Sequence, residues 1–287
     1  MTMSDDRTDD LSGATVVVAG SRQHRPNRPS AACPFCVGGT EAPEPYEVRA
    51  FANRWPSFPD DRCEVVLYTP EHDLTFADLG TDGARRVVDL WAERTDALGA
   101  RPDVAYVLAF ENRGEEVGAT IAHPHGQIYA YDHVPAAPLG ELRRAARGDC
   151  VLCAAPDPTL VVAESTGWRA WVPEASAYPY GMVLAPDVHR PDLPALDGPQ
   201  RDGLAGLLVD VLGRIDRLFA APLPYMLWIH QRPTDGGPWP EAHVHVHVVS
   251  PMRSPGVQRY VAAAELGSGE FVNPVVPEDA AAALRGA

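Results

Sequence analysis

The sequence predicts an α+β protein made of two similar halves, and three observations support this fold class. Strand-like segments rich in β-branched residues alternate with segments that carry apolar residues at helical spacing. A C-x-x-C pair followed by a histidine occurs twice with the same separation. An alternating histidine motif follows each of these groups, at positions 123–127 and 243–247. Agreement of all three features indicates a duplicated unit.

The regular elements of the first half follow from local composition. Apolar residues at helical spacing, among them Val87, Trp91 and Leu98, predict an amphipathic helix over 82–98 that covers a sheet. β-branched and other apolar residues predict strands over 15–19, 64–68 and 104–110.

Two loops of the first half carry candidate binding residues. Residues 22–29 contain Arg22, Arg25 and Arg28 among prolines, which disfavour a helix. This segment is either a solvated loop or a phosphate clamp, because guanidinium groups suit phosphate oxygens. Residues 51–59 mix aromatic side chains with an amide and predict a loop that lines a pocket.

The stretch His123-Pro124-His125-Gly126-Gln127 is the centre of the first half. If it is extended, the two imidazoles and the amide leave the same face of a sheet, because strand side chains alternate. Proline and glycine are poor choices inside a central strand, so the stretch fits a strand end that a ligand approaches closely. From this stretch alone, a coincidental or purely metal-binding histidine pair is an equally good interpretation.

The second half repeats the plan of the first. Adding 117 to the numbers of Cys33, Cys36 and His72 gives Cys150, Cys153 and His189. A helix is predicted over 201–219 and a strand over 224–230, in the places of their counterparts. His243-Val244-His245-Val246-His247 then stands three residues beyond the offset of the first histidine motif.

Composition excludes several classes of function. The chain has 287 residues and a formal net charge of -15, which argues against nonspecific binding to nucleic acid or anionic membranes. All 24 basic residues are arginine, so lysine Schiff-base chemistry and a Walker A loop are excluded. We find no membrane-spanning stretch and no secretory signal at the acidic start, and we therefore predict a cytoplasmic protein.

Cysteine and histidine spacing predicts two zinc sites, with a C-x-x-C redox pair as the alternative in each case. The first site would use Cys33, Cys36, His72 and one histidine of the 123/125 pair. For the second site we favour a set that copies this spacing over an oxygen- and nitrogen-rich set that would bind iron or zinc. The favoured set is Cys150, Cys153, His189 and His243, and the rival set is Glu141, His230, His245 and His247. Cys63 has no such partners and is expected to be buried.

The chain resembles the galactose-1-phosphate uridylyltransferase family, a branch of the histidine-triad superfamily, over nearly its whole length. The resemblance is carried mainly by Cys33-Pro34-Phe35-Cys36, Phe51-Ala52-Asn53, Thr69-Pro70-Glu71-His72, Glu111-Asn112-Arg113-Gly114 and the H-P-H-G-Q stretch. Looser matches are Leu11-Ser12-Gly13 with Arg22, Arg25 and Pro26, and, near the end, Arg253-Ser254, Arg259-Tyr260 and Glu265. It implies two tandem histidine-triad-like halves, 1–134 and 135–287, whose antiparallel strands form one large sheet flanked by helices.

The resemblance also implies roles for individual residues. His125 would be the nucleophile, His123 the fourth ligand of the first zinc site, and Gln127 a contact to the transferred phosphoryl group. Nucleotide contacts would come from Phe51, Asn53, Asn112 and the loop from Gly118 to Thr120, and sugar or sugar-phosphate contacts from Arg259, Tyr260 and Glu265. A homodimer is implied, with Arg22 and Arg25 reaching a site shared between subunits. Thr120 and Arg259 depart from the serine and lysine common in the family.

The expected activity is nucleotidyl transfer. UMP would pass from UDP-glucose to galactose 1-phosphate through a covalent uridylyl-histidine with ping-pong kinetics, so the partners are a nucleotide sugar and a sugar phosphate. One alternative is a nucleotide-sugar phosphorylase or adenylyltransferase that uses the same intermediate with another acceptor. A second alternative is a catalytically silent zinc protein that binds nucleotides.

Overall fold

The computed structural model describes residues 5–24 and 32–287, and its centre is a nine-stranded sheet in which every neighbouring pair is antiparallel. In chain order its strands are β3 (Arg49–Ala52), β4 (Cys63–Leu67), β5 (Tyr106–Arg113), β6 (His125–Tyr131), β7 (Val161–Ser165), β8 (Trp168–Trp171), β9 (Met182–Pro186), β10 (Tyr225–His230) and β11 (His245–Val249). Two small hairpins lie outside it, β1 (Asp5–Thr8) with β2 (Thr15–Val18), and β12 (Met252–Ser254) with β13 (Val257–Gln258). The large antiparallel sheet predicted from the family resemblance is confirmed.

Two long helices cover one face of this sheet. They are α1 (Gly80–Gly99) and α3 (Gly198–Leu218), and they pack against each other. Trp91 of α1 is fully buried among sheet residues such as Val107 and Ile128, which places the main apolar core between helices and sheet. The shorter helices are α2 (Ala136–Ala145), α4 (Ala263–Ser268) and α5 (Pro277–Gly286).

The strand order makes the two halves equivalent. It reads β3-β4-β6-β5-β10-β11-β9-β8-β7, so β5 and β10 lie at the centre and the next three strands on each side correspond. The register gives the same result, because Gln127 pairs with Val65 and Phe110, whereas His247 pairs with Val183 and Trp228. Matching positions are Phe51 with Trp171, Val65 with Val183, Phe110 with Trp228, His125 with His245, and Gln127 with His247.

Most sequence-predicted elements have the expected type, with ends that move by a few residues. The helices predicted over 82–98 and 201–219 are α1 and α3, and the H-P-H-G-Q stretch does sit at a strand end, since β6 begins at His125. The loop predicted over 51–59 begins later than expected, because Phe51 lies in edge strand β3 and pairs with Val65 of β4. The arginine-rich loop begins as a 3-10 helix over Gly20–His24, and residues 25–31 lie outside the described part of the chain. Within the described ranges we find no helix of the length and apolarity that a bilayer span requires.

Candidate active site and metal centres

Strand β6 presents the candidate catalytic side chains on the sheet face opposite α1 and α3. Along β6 the half-buried residues alternate with fully buried ones, and His125, Gln127 and Tyr129 belong to the half-buried set. Gly126 and Ile128 point to the helix side, where Ile128 joins the core. The alternation predicted from sequence therefore places His125 and Gln127 side by side on one face.

His123 precedes the strand and is oriented by two oxygen atoms. Its Nε2 lies 2.8 Å from the carbonyl oxygen of Thr69 and 3.0 Å from the hydroxyl of Tyr46. Because a carbonyl can only accept, Nε2 carries the hydrogen and the lone pair is left on Nδ1. That Nδ1 lies 3.7 Å from Sγ of Cys36, so the lone pair faces the cysteine pair. Burial lowers the pKa of His123, which favours the neutral ring that a metal needs.

His125 has the opposite arrangement of ring nitrogens. Its Nδ1 lies 2.7 Å from the backbone carbonyl oxygen of His123, so this nitrogen donates and the lone pair is on Nε2. The ring of Phe35 packs edge-on against it with ring centroids 5.1 Å apart. The hydrogen bond and the aromatic contact orient the ring, and an imidazole nitrogen that carries the lone pair can act as a nucleophile.

Gln127 is held by a neighbouring amide. Nδ2 of Asn53 donates to Oε1 of Gln127 over 3.3 Å, and the backbone N–H of Trp55 donates to Oδ1 of Asn53 over 2.9 Å. With its oxygen accepting, the NH2 of Gln127 is the group that can donate to an anion beside His125. Phe51 lies in the same cross-strand row, since it pairs with Val65 and Val65 pairs with Gln127.

Arg22 provides positive charge next to this row. Its Nη1 donates to the carbonyl oxygen of Trp55 over 2.9 Å and to Oγ of Ser57 over 2.8 Å, and it lies 3.4 Å from the hydroxyl of Tyr129. Tyr129 follows Gln127 on the same face of β6. The structure therefore brings Arg22 to the candidate site, whereas Arg25 lies outside the described residues.

The first cysteine–histidine set assembles as a tetrad. The ligand atoms of Cys33, Cys36, His72 and His123 all lie within 4.8 Å of one another, and Sγ of Cys36 is 3.5 Å from Nδ1 of His72. Two thiols and two imidazoles are a usual tetrahedral set for structural zinc. The turn that carries Cys33 and Cys36 requires glycine at position 39, because a Cβ there would stand 2.5 Å from the Pro34 carbonyl oxygen.

The second cysteine–histidine set assembles in the same way. Sγ of Cys150 lies 3.3 Å from Nδ1 of His243, and Sγ of Cys153 lies 3.5 Å from Nδ1 of His189. Burial lowers the pKa of His243 to about 4, so its ring is neutral near neutral pH. The donor set again fits zinc.

The rival ligand set assembles as well, as a separate cluster. Glu141 on α2 reaches Nδ1 of His230 at 2.7 Å, Nε2 of His245 at 3.3 Å and Nε2 of His247 at 3.8 Å. Although burial raises the pKa of Glu141, its hydrogen bonds to His230 and His245 hold that pKa well below the usual range. One carboxylate and three imidazoles fit zinc or iron. The two sets that sequence analysis treats as alternatives share no residue, and the fold builds both.

His245, the residue that matches His125, shows how the two halves differ. Nδ1 of His245 lies 2.7 Å from the carbonyl oxygen of His243, which is the same hydrogen bond that His125 makes. In this half Nε2 of His245 faces the carboxylate of Glu141. A cavity of about 380 Å³ lies between α2 and this cluster.

Arg259 and Glu265 lie in the C-terminal segment and form a buried ion pair with each other. The guanidinium of Arg259 also lies 4.9 Å from the ring of Tyr178. Tyr260 is 74% exposed. Among the described contacts, these three residues are held within their own segment and its neighbours, so any contact to the nucleotide site stays a prediction.

The remaining predicted contacts lie on β5 and the loop that follows it. Asn112 is half-buried on β5, in the same alternation as Phe110, whose ring packs against Tyr129. Gly118 ends a 3-10 turn with φ of 84°, a left-handed conformation that glycine adopts without strain. Thr120 lies in the same loop, on the way to His123.

Sequence analysis gives no role to two residues that orient the histidines. Phe35 contacts the rings of His123 and His125, and Tyr46 contacts Nε2 of His123 while its hydroxyl lies 2.7 Å from the Phe35 carbonyl oxygen. Phe35 could have been identified from sequence, because it is the aromatic residue between the two cysteines of C-P-F-C. Tyr46 has no local signal, because only the fold brings it to residue 123.

Comparisons with known proteins agree with this geometry. Family models described as galactose-1-phosphate uridyl transferase, N-terminal domain and C-terminal domain, match residues 45–135 and 125–286. The chain is 33% identical to galactose-1-phosphate uridylyltransferase of Thermotoga maritima, over 97% of each chain. It is 38% identical to the enzyme of that name from Streptomyces lividans, over 81% of this chain and 71% of the relative. A solved uridylyltransferase structure superposes with a TM-score of 0.91 and 29% identity, over 99% of this chain and 98% of that one.

Proposed function

The chain belongs to the galactose-1-phosphate uridylyltransferase family, and we propose that it transfers UMP from UDP-glucose to galactose 1-phosphate in galactose metabolism. One observation carries the mechanism. The hydrogen bond from Nδ1 of His125 to the His123 carbonyl puts the lone pair on Nε2, and His125 shares one face of β6 with Gln127.

The reaction runs in two displacements at one phosphorus atom. Nε2 of His125 attacks the α-phosphorus of UDP-glucose, an N–P bond forms, and the P–O bond to glucose 1-phosphate breaks. A phosphate oxygen of galactose 1-phosphate then attacks the uridylyl-histidine, releases His125 and forms UDP-galactose. Glucose 1-phosphate leaves as a stabilised anion, so the step needs hydrogen-bond donation from the Gln127 amide rather than a strong general acid.

Local arginine compensates for the acidic chain. Two anionic substrates must bind although the formal net charge is -15. Arg22, anchored at Trp55 and Ser57, supplies positive charge beside Gln127. We extend this role to Arg25 in the same segment, and we assign nucleotide contacts to Phe51, Asn53, Asn112, Gly118 and Thr120.

We propose three bound metal ions per chain. Zinc would be held by Cys33, Cys36, His72 and His123, and a second zinc by Cys150, Cys153, His189 and His243. Zinc or iron would be held by Glu141, His230, His245 and His247. Four protein ligands at each site favour a structural ion, which fixes the loops around β6 and β11 and takes no part in bond making.

We further propose a cytoplasmic homodimer with halves that meet near residues 134 and 135. Four thiols that lie beside imidazoles and form no disulfide suit a reducing compartment. The exposed ring of Tyr260 and the adjacent Arg259 and Glu265 would contact the sugar phosphate at a site shared between subunits.

The direct test is covalent labelling. The protein is incubated separately with UDP-glucose and ADP-glucose, each radiolabelled in the α-phosphate, and acid-sensitive label on the chain is counted. UDP-glucose should label the wild type, and His125→Gly should abolish labelling while metal content stays the same. Labelling by ADP-glucose alone would transfer the assignment to an adenylyltransferase or phosphorylase, and label that survives in His125→Gly would move the nucleophile, with His245 as the next candidate.

A further inference from the structure

The rear of the catalytic strand carries a polar group where an apolar contact is expected. Gly126 lies between His125 and Gln127 and faces the helix side. A Cβ on Gly126 would stand 2.1 Å from Oη of Tyr68, so this hydroxyl occupies the space that a side chain would need. Tyr68 is the residue that follows β4, and it is 2% exposed. The hydroxyl is therefore pressed against the backbone between the two catalytic residues.

A carboxyl group and a second tyrosine lie in the same layer. Glu111 follows Phe110 on β5, and Phe110 pairs with Gln127, so Glu111 is the cross-strand neighbour of Gly126. It is 4% exposed, and its Oε1 accepts a hydrogen bond of 2.7 Å from the hydroxyl of Tyr225 on β10. Burial first, and then the charge of Glu111, raise the pKa of Tyr68 well above its ordinary value. We call Tyr68, Glu111 and Tyr225 the rear cluster.

The C-terminal half supplies an internal comparison. The positions that match Gly126, Glu111 and Tyr68 are Val246, Ile229 and Pro186, and all three are buried. Val246 and Ile229 belong to the main apolar core. The same sheet, covered by the same kind of helix, thus needs no buried polar group behind the strand that carries His245. Buried polar groups therefore lie behind His125 but not at the matching positions behind His245, although both halves share the same sheet and helix arrangement.

Stability does not account for the rear cluster. Burial of hydroxyl and carboxyl groups costs free energy unless each is hydrogen-bonded, and an apolar set as in the other half avoids that cost. Tyr225 orients the Glu111 carboxyl group, whereas Oη of Tyr68 and Oε2 of Glu111 are buried without a hydrogen-bond partner among the described residues. Polar atoms kept buried at this cost indicate a role other than stability. A tyrosine ring is also rigid and delivers one oxygen atom at a fixed distance.

We propose that Tyr68, Glu111 and Tyr225 are positioning residues for nucleotidyl transfer, which set the backbone of β6 at Gly126 and so the directions of His125 and Gln127. This inference rests on the proposed function of His125. Tyr225 belongs to β10, so the C-terminal half takes part in placing the nucleophile of the N-terminal half. In-line attack on phosphorus is sensitive to displacements of the nucleophile by less than 1 Å, which gives such positioning a kinetic effect.

The test compares Tyr68→Phe and Glu111→Gln with a matched control. Tyr106→Phe is the control, because Tyr106 is equally buried on β5 but its hydroxyl accepts from the backbone N–H of Gln231. We expect the two rear-cluster variants to form uridylyl-histidine about 10- to 100-fold more slowly in a single turnover. The KM for UDP-glucose and the metal content should change less than about twofold, and Tyr106→Phe should keep the wild-type rate. A wild-type rate in Tyr68→Phe and Glu111→Gln, or an equal loss in the control, would overturn the proposal.

A double variant tests whether the Tyr68 hydroxyl positions the backbone of β6 or only fills space. Gly126→Ala forces its Cβ against Oη of Tyr68 and should lower thermal stability. Gly126→Ala with Tyr68→Phe removes the nearest clash but leaves the Cβ 3.0 Å from the carbonyl oxygen of Phe110, so it should recover part of the stability but not the rate. Recovery of both in the double variant would mean that the hydroxyl only fills space.

One further readout does not depend on catalysis. The imidazole nitrogen resonances of His125, measured by NMR, report its hydrogen bond to the His123 carbonyl. They should shift in Tyr68→Phe and stay in place in Tyr106→Phe. If the wild type is not labelled by UDP-glucose but the shift is seen, the proposed function fails and the positioning stands. A labelled wild type with unchanged resonances and rates in Tyr68→Phe and Glu111→Gln would refute the positioning alone.

Discussion

At the scale of single residues, hydrogen bonds to backbone carbonyls decide which ring nitrogen of each histidine keeps its lone pair. His123 donates from Nε2 to Thr69 and turns Nδ1 toward the cysteines, whereas His125 donates from Nδ1 to His123 and presents Nε2. The two rings are chemically identical and two positions apart. Their different roles thus come from their partners, and the same bond recurs at His245 with a different outcome because Glu141 faces it.

Glu111 should make stability depend on pH. Burial is the main cause that raises its pKa from 4.5 to about 7, against the lowering effects of Tyr225 and Arg113. Between these values the folded protein retains a proton that the unfolded chain releases, so the stabilisation is fully present below pH 4.5 and is lost as pH rises to about 7. In Glu111→Gln this loss, on the order of 3 kcal/mol, should disappear.

The measurement is the free energy of urea unfolding at pH 5 and pH 8, in the wild type and in Glu111→Gln. The groups that face Glu111 from neighbouring elements (Tyr68, Tyr225, Arg113 and Asp216) are the same in both proteins, so the difference between them isolates the carboxyl group. Glu164→Gln, which removes an exposed carboxylate, should follow the wild type. Identical pH dependence in wild type and Glu111→Gln would show that Glu111 does not titrate in this range.

At the scale of elements, helix α3 begins with a complete capping box. The Asp197 carboxylate accepts from the backbone N–H of Gln200 over 2.9 Å, and the Gln200 side chain accepts from the backbone N–H of Asp197 over 3.1 Å. Two N–H groups that no helical carbonyl can reach are thereby satisfied. Proline at 199 suits the first turn, where a missing N–H has no cost.

Asp197→Ala should therefore destabilise the protein by about 1 kcal/mol, the usual effect of losing an N-cap. Glu174→Ala is the comparison, since Glu174 is exposed and lies in a turn outside the helices. Both are compared by urea unfolding, and nucleotidyl transfer should be unchanged because α3 lies on the face away from His125. A loss for Asp197→Ala no larger than that for Glu174→Ala would rule out the cap as a stabilising feature.

The three ligand clusters make a prediction about metal content. Each cluster joins a strand end of β6, β10 or β11 to a loop or to α2, so each ion would hold one connection in place. Purified protein should contain about three ions, and Cys33→Ser, Cys150→Ser and His247→Ala should each remove about one. Cys63→Ser should remove none, because Cys63 is fully buried and accepts from the backbone N–H of Phe58.

Elemental analysis of the gel-filtered proteins gives the counts. Unchanged metal in Cys150→Ser would mean that the second cysteine pair holds no ion, and unchanged metal in His247→Ala would exclude the glutamate–histidine cluster. Loss of an ion should also lower thermal stability, because binding free energy at a structural site is folding free energy.

At the scale of the whole molecule, matching strand positions of the two halves carry different side chains. The central pair β5–β10 joins matching strands into one sheet, and both histidine motifs leave the same face of it. In the C-terminal half, helix α2 brings Glu141 over His245, and His230 stands where β5 has Asn112. The proposed nucleophile, His125, implies that both substrates use a single site in turn.

Ping-pong kinetics should follow from this single site. Initial rates measured against UDP-glucose at several galactose 1-phosphate concentrations should give parallel double-reciprocal lines, because the first product leaves before the second substrate binds. Intersecting lines would contradict a shared site. Turnover with inorganic phosphate that exceeds turnover with galactose 1-phosphate would favour the phosphorylase alternative.

The sequence by itself determined the duplication, the main elements and most ligands. Strand and helix periodicity are local properties, so β4, β5, α1, α3 and β10 were predictable to within a few residues. The 117-residue offset is likewise a property of the chain alone. It identified both cysteine pairs with His72 and His189, whereas the family resemblance was needed to choose His123 as the fourth ligand of the first set. Alternation along an extended strand placed His125 beside Gln127.

Only the tertiary structure decided how these residues are used. Which ring nitrogen of each histidine carries the lone pair depends on carbonyls brought by the fold. The second cysteine set and the glutamate–histidine set coexist because the fold builds each from different residues. The rear cluster joins residues 68, 111 and 225, which are far apart in sequence and carry no shared motif. Such contacts follow from strand order and register, which depend on the packing of the entire sheet and not on any local pattern.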